Sequence, residues 1–430
     1  LTVPDLDYQS YVDLPLNTSD VYVNGAWRTV VVGGSRGNTP GIFALDVTDP
    51  AQFSSANAAS TVMWEFSGHN DLGHMTDAVQ IALLKWGDND YRWSAVFSNG
   101  YGAPSGKNGL FVVDIGDPSE YKFIELASGG GLSPARLVDN EDGNGDQNSD
   151  GVTDRAYAGD LEGRLWAIDL TGGKASWAVD ANGAPLFIAK DSLGNIQPIT
   201  AQPDVTRNTY KKDLNDPNLL VFFGTGKYLE AGDIPATGVT PKAQTFYGIS
   251  DRGTSKDGNG NGLGRDDLAQ RAVTTGSVTV SGVAVPVRKT DGVPLDWSND
   301  FGWYVDLPSS GERVVEAPVV RGNFVVFTST IPVSGDPCGG GGSSFLTALQ
   351  FDGSTDSSKS IIDVNNDGKL DSADQGWAGV FYGQGIITGL SFIDNILMAP
   401  DSSGGKTPFL TDFGAGLSGT RRVGWHEIID

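Results

Sequence analysis

A repeated cadence is the feature that most constrains this chain. An apolar strand runs into glycine, a turn follows, and a second strand ends on aromatic and apolar residues, often with aspartate. Ser19 to Val32 reads as two strands around Asn24-Gly25, a hairpin signal, and Gly41 to Val47 follows as the next strand. The pattern returns as Trp93 to Gly100 with Gly109 to Ile115, and as Arg155 to Asp160 with Gly163 to Asp169. It recurs in Leu219 to Gly226 with Ala243 to Ile249, and in Asn323 to Thr328 with Ser343 to Gln350. Early copies start roughly 60 to 70 residues apart, and later ones are spread by long loops. A unit of this kind cannot bury both faces of its sheet alone, so copies must stack around an axis. The expected fold is all-β, a modified β-propeller of about seven blades (six is the other count), with long inserted loops. A two-sheet sandwich has less reason to repeat the same cadence.

Composition agrees. Glycine contributes 59 of 430 residues, about twice its usual share, as many tight turns demand. Helical periodicity is scarce. The formal net charge of −24 opposes binding to nucleic acid or to anionic membrane surfaces. No apolar run approaches the roughly 18 residues of a membrane span. A single cysteine, Cys338, cannot close a disulfide within the chain. The first residues, LTVPDLDYQS, lack both Met and the features of a signal peptide. Residues 1–430 are therefore read as one propeller domain, a fragment of something longer. A closing strand is expected within Gly385 to Asp430, a stretch that supplies about four strands.

Two loops carry metal-binding chemistry. Asp146, Asn148, Asp150 and Asp154 follow D-x-N-x-D-G-x-x-D, the opening of an EF-hand calcium loop. Short oxygen side chains alternate toward one centre, Gly151 turns the backbone, and the Val152 carbonyl stands at position seven. An all-oxygen cage suits a hard cation, so Ca²⁺ is the expected ligand. The residues after it alternate like strands, with Glu162-Gly163 as a hairpin turn, so the metal would staple a β connection. In the second loop, Asp363, Asn365, Asp367, the Lys369 carbonyl, Asp371 and Asp374 occupy positions one, three, five, seven, nine and twelve. Aspartate at position twelve is shorter than the usual glutamate, but the register is complete, and a second Ca²⁺ is expected there.

Other polar groups read as structural. Asp257, Asn259 and Asn261 open a similar alternation, yet no acid follows at positions nine or twelve. His69 and His74, with Asp71 and Asp77, match no ligand spacing. His426 lies in an alternating strand, and Cys338 in a glycine tract has no histidine near it in sequence. A P-loop fingerprint is missing from the chain.

The segments SDVYVNGAWRTVVVGG, GIFALDVTDP, AVFSNGY, GLFVVDI and DRAYAGDLEGRLWAIDL, in that order, resemble the C-terminal β-propeller of the type IV pilus biogenesis factor and tip adhesin family (PilC/PilY). That resemblance implies a non-enzymatic domain, the C-terminal part of a longer secreted protein, at the bacterial surface or pilus tip, exported through periplasm and outer membrane. It implies roles in pilus assembly, adhesion, virulence and twitching motility, with minor pilins as partners and host contact made through other regions. Calcium in the first loop would shift the balance between pilus extension and retraction, with Asp146, Asn148, Asp150, the Val152 carbonyl and Asp154 as ligands. The chain holds no Arg-Gly-Asp tripeptide, so integrin binding is not carried over. The competing classes are a quinoprotein dehydrogenase and a generic carbohydrate- or host-binding propeller. The former stacks its quinone on a disulfide between adjacent cysteines, which one cysteine cannot supply.

Overall fold

Asn24 and Gly25 turn the chain with φ of 53° and 80°, the left-handed pair that a two-residue hairpin needs. Val23 therefore faces Ala26, and the register runs back unbroken to Asn17 opposite Val32. Gly41–Asp46 and Val62–Ser67 join in chain order to complete a four-stranded antiparallel sheet. In the computed structural model the described residues are 12–36, 40–140, 149–212, 217–234, 238–253, 262–333 and 341–414.

Six sheets are present among the described residues. The second holds Gln80–Gly87, Asp90–Ser98, Lys107–Asp114 and Tyr121–Ser128, again in chain order. The third is built on Arg136–Val138, Arg155–Gly159, Arg164–Asp169 and Ala178–Val179. The fourth runs Asp204–Arg207, Leu219–Gly224, Thr245–Asp251 and Gly302–Asp306, with Ala269–Gln270 added in parallel. The fifth has six strands, ordered Val273–Val280, Val283–Thr290, Gly379–Tyr382, Gly342–Gln350, Phe324–Pro332 and Val319–Arg321. Ser391–Ile393, Ile396–Pro400 and Lys406–Leu410 form the last. Of the strands expected beyond Gly385 these three are described, and the closing strand with His426 lies outside the described residues. The chain divides into two compact units, one built up to Leu161 together with Trp166–Gly183, the other on Glu162–Leu165 and from Ala184 onward.

Within each unit the inner strands bury both faces. Successive side chains in a strand point to opposite sides, and the core clusters follow that alternation. Phe111 and Val113 pack with Val30, Ile42 and Phe66, whereas Leu110 and Val112 pack with Ala156, Trp166 and Ile168. In the second unit, Val325 and Phe327 pack with Phe222, Phe246 and Trp303, while Val326 joins Leu346, Val380 and Leu397. This two-sided burial explains why the strands read as nearly continuous Val, Leu and Phe runs. Each large apolar side chain fully buried this way contributes about 1.5–3 kcal/mol. The ring of Trp303 is fully buried, and its indole N–H donates to the Phe351 carbonyl at 2.8 Å. It lies flat over Gly248, where an added Cβ would come within 2.6 Å of the ring.

Candidate metal sites

The first acidic loop ends on the rigid strand Arg155–Gly159. Thr153 donates its N–H to the Leu83 carbonyl at 2.8 Å, and Asp154 donates to the Val138 carbonyl at 2.9 Å. The Asp154 carboxylate, 8% exposed, accepts the Asn140 N–H at 2.8 Å. Its side chain is thus fixed at the base of a sheet. Asp150 is exposed and accepts the Val152 N–H at 2.8 Å, and Gly151 adopts φ of 90°. The backbone N–H groups of Asp150 and Gly151 both converge on the Asp139 carboxylate, at 3.1 and 2.9 Å. Asp146 and Asn148 lie outside the described residues.

The second loop is described throughout. Ile361, Ile362 and Val364 sit in a core cluster, and the Asp363 N–H donates to the Leu410 carbonyl at 2.9 Å. Position one is therefore anchored in the sheet. The Asp363 carboxylate, 1% exposed, accepts the N–H groups of Asp367 at 3.1 Å and Gly368 at 2.8 Å. At the other end Asp374 is fully buried and accepts the N–H groups of Val364 at 2.9 Å and Asp371 at 3.0 Å. Burial above all, and the Asp363 charge beside it, push the Asp374 carboxyl above the usual carboxylate range; the N–H groups of Asp371 and Val364 only partly offset this. Two acidic groups are thus held together in a setting that a cation's charge would relieve.

The remaining predicted ligands stand at the rim. Asn365 is half-buried, while Asp367, Lys369 and Asp371 are exposed. Asn365 accepts the Asp367 N–H at 3.0 Å, Asp367 the Lys369 N–H at 2.9 Å, and Asp371 the Ala373 N–H at 2.8 Å. Among the described residues, no three His, Cys, Asp or Glu side chains converge closely enough to hold a metal ion as they stand. The donor set is nevertheless all oxygen, and its two ends are fixed, which fits a hard cation.

Both loops share one device. The N–H groups of positions five and six point at a single carboxylate, which is Asp363 in the second loop and Asp139 in the first. Motif spacing nominates Asp146 for position one and passes over Asp139. Only the fold brings Asp139 back to the loop, across 11 residues of chain.

The two described histidines make ring and backbone contacts. His69 stacks on Phe66 at 4.0 Å between ring centroids and meets Tyr121 edge-on at 5.1 Å. His74 sets its Nδ1 against the Arg36 carbonyl at 2.5 Å. Residues 257–261 and Cys338 lie outside the described residues.

Residues 7–279 match the family model of the PilY1 beta-propeller domain. The type IV pilus biogenesis factor PilY1 of Pseudomonas aeruginosa is 33% identical over 401 residues, which cover 85% of this chain and 32% of that protein. The chain belongs to the PilY1 family. A PilY1 homolog of Xylella fastidiosa is 31% identical over 368 residues, 81% of this chain and 23% of that protein. The crystal structure of the Pseudomonas aeruginosa PilY1 C-terminal domain superposes with a TM-score of 0.72 at 29% identity, over 93% of this chain and 83% of that one. The fold is accordingly the PilY1 β-propeller, as the strand cadence implies. The chain spans a third or less of the length of these PilY1 relatives. Among the described residues no helix is long and apolar enough to cross a membrane.

Proposed function

We propose that this PilY1 propeller is a calcium-binding module that supports type IV pilus assembly at the cell surface and sets the balance between extension and retraction. Asp146, Asn148, Asp150, the Val152 carbonyl and Asp154 would hold one Ca²⁺. Asp363, Asn365, Asp367, the Lys369 carbonyl, Asp371 and Asp374 would hold a second. The observation that carries this reading is the shared frame of the two loops, in which the fifth and sixth backbone N–H groups lock onto one carboxylate. Such a frame pre-shapes the loop around which the remaining oxygens would close on an ion. A bound divalent cation supplies the charge that the acidic side chains otherwise lack. The partners in this reading are minor pilins at the pilus tip, and host surfaces are met by other regions of the longer protein.

Calorimetric titration of calcium into EDTA-stripped protein tests the reading. The wild type is expected to show two binding events, and Asp150→Ala and Asp367→Ala one each, with unchanged circular dichroism. Affinities should fall within the broad range of such loops, about 10⁻⁹ to 10⁻³ M. Absence of calcium heat in the wild type would reduce both loops to acidic turns. Twitching assays on cells carrying Asp150→Ala then separate switch from staple, since a switch predicts lost motility with a normally folded propeller.

A further inference from the structure

Sheet edges expose main-chain donors and acceptors, and proteins usually blunt them with charge, proline, bulges or brevity. The outer strands of the first two sheets obey this. Asn17–Val23 carries Asp20, Val62–Ser67 carries Glu65, Gln80–Gly87 carries Lys85, and Tyr121–Ser128 carries Lys122 and Glu125. Val273–Val280 does not. It is eight residues long, ends the six-stranded sheet, pairs with Val283–Thr290 without a register shift, and contains neither charge nor proline. Among the described strands at a sheet edge, it alone exceeds three residues and carries no charge. The whole segment 273–287 is uncharged, in a chain where 19% of residues are charged.

Which main-chain groups face outward follows from the register. Arg288 lies opposite Gly379 on one side and Thr275 on the other. Its carbonyl accepts the Ala378 N–H at 2.9 Å, so its main chain faces the Gly379 strand. Thr275 then turns its own N–H and C=O to the outer edge, and alternation sends those of Ser277 and Thr279 the same way. Their side chains are exposed hydroxyls. Pro286, opposite Ser277, has no N–H to lose. The other face is anchored, because Val278 and Val285 pack on the core with Trp377, and Gly276 lies over the Trp377 ring. Among the described residues the strand makes no main-chain bond beyond its hairpin partner.

We infer that the outer edge of Val273–Val280 is a docking site for an extended segment of a different protein, added as a further strand. Water satisfies such a row of alternating N–H and C=O groups while it is bare, and an added strand replaces that water with a ladder of main-chain hydrogen bonds. The net charge of −24 works against a second copy of this chain and favours a basic segment. The site stands apart from the calcium reading.

The test uses a terminally blocked Lys-Thr-Val-Thr-Val-Thr-Val-Thr-Lys peptide, N-methylated along one edge so that it cannot stack on itself. Residue-resolved hydrogen exchange is measured on the whole chain. Saturating peptide is expected to slow exchange of the Thr275, Ser277 and Thr279 amides about tenfold or more. Ser277→Pro, which removes an outward N–H, and the paired change Thr275→Lys with Thr279→Lys, which repels the basic probe, should each abolish the effect. Circular dichroism and thermal midpoint check that each variant is folded. Ala284→Lys, on the same exposed face but on the partner strand, should bind normally. Unchanged exchange overturns the inference. So does protection without peptide that is independent of protein concentration (an edge already covered) or that grows with it (a second copy). Loss of binding in Ala284→Lys alone would point to the face rather than the edge.

Discussion

At the residue scale the metal loops show what a carboxylate does before any ion arrives. Asp139 orders the first loop by accepting two backbone N–H groups. It belongs to the surroundings of the site, and such supports typically change metal affinity by about 10- to 100-fold. Asp139→Ala is therefore expected to weaken calcium binding about tenfold at unchanged stoichiometry, read by the same calorimetry. His69 offers a pH test. Burial in its ring stack lowers its pKa, and the Asp71 charge opposes this only in part. The folded state therefore binds its proton less readily than the unfolded chain. The associated stability is complete above a pH of about 6.5 and is lost as pH falls through the lower folded value. His69→Phe should flatten the acid side of a thermal-midpoint profile between pH 5 and 8. An unaltered profile would place the acid sensitivity elsewhere.

At the element scale, strands are held by contacts that leave no slack. Gly248 accommodates the Trp303 ring, and Phe246 stacks on Phe327 with centroids 3.8 Å apart. Gly248→Ala must displace a fully buried indole, so it should cost about 1–3 kcal/mol in chemical denaturation. Gly264, where an added Cβ meets nothing within 4 Å, is the control and should change stability little. Much at this scale is legible in the chain itself. The Asn24-Gly25 hairpin, the strand from Arg155 and the hairpin strand from Arg164 stand where their patterns place them. The hairpin Val273–Val280 with Val283–Thr290 was readable in principle, since valine recurs on alternate positions around Ser281-Gly282. That it ends its sheet among the described residues was not, because edge position depends on which strand the far end of the chain supplies as a neighbour.

At the scale of the whole molecule, charge dominates. A net −24 on one chain stores self-repulsion that salt screens. The thermal midpoint in EDTA should rise between about 0.01 and 0.15 M NaCl, where the screening length falls from about 30 to 8 Å. Calcium should raise it further at constant ionic strength if the loops are occupied, which distinguishes specific binding from screening.

The amino-acid sequence by itself determined the all-β class, the strand cadence and the two oxygen-rich loops. Each depends on local spacing: period-two alternation, glycine where φ is positive, and acids at alternate positions of a tight turn. Tertiary structure alone decided that Asp139 closes on Asp150 and Gly151, that Asp363 and Asp374 are buried side by side, and that Val273–Val280 ends its sheet. These depend on strands far apart in the chain coming to lie next to one another, and burial, unlike spacing, is a property of the neighbours.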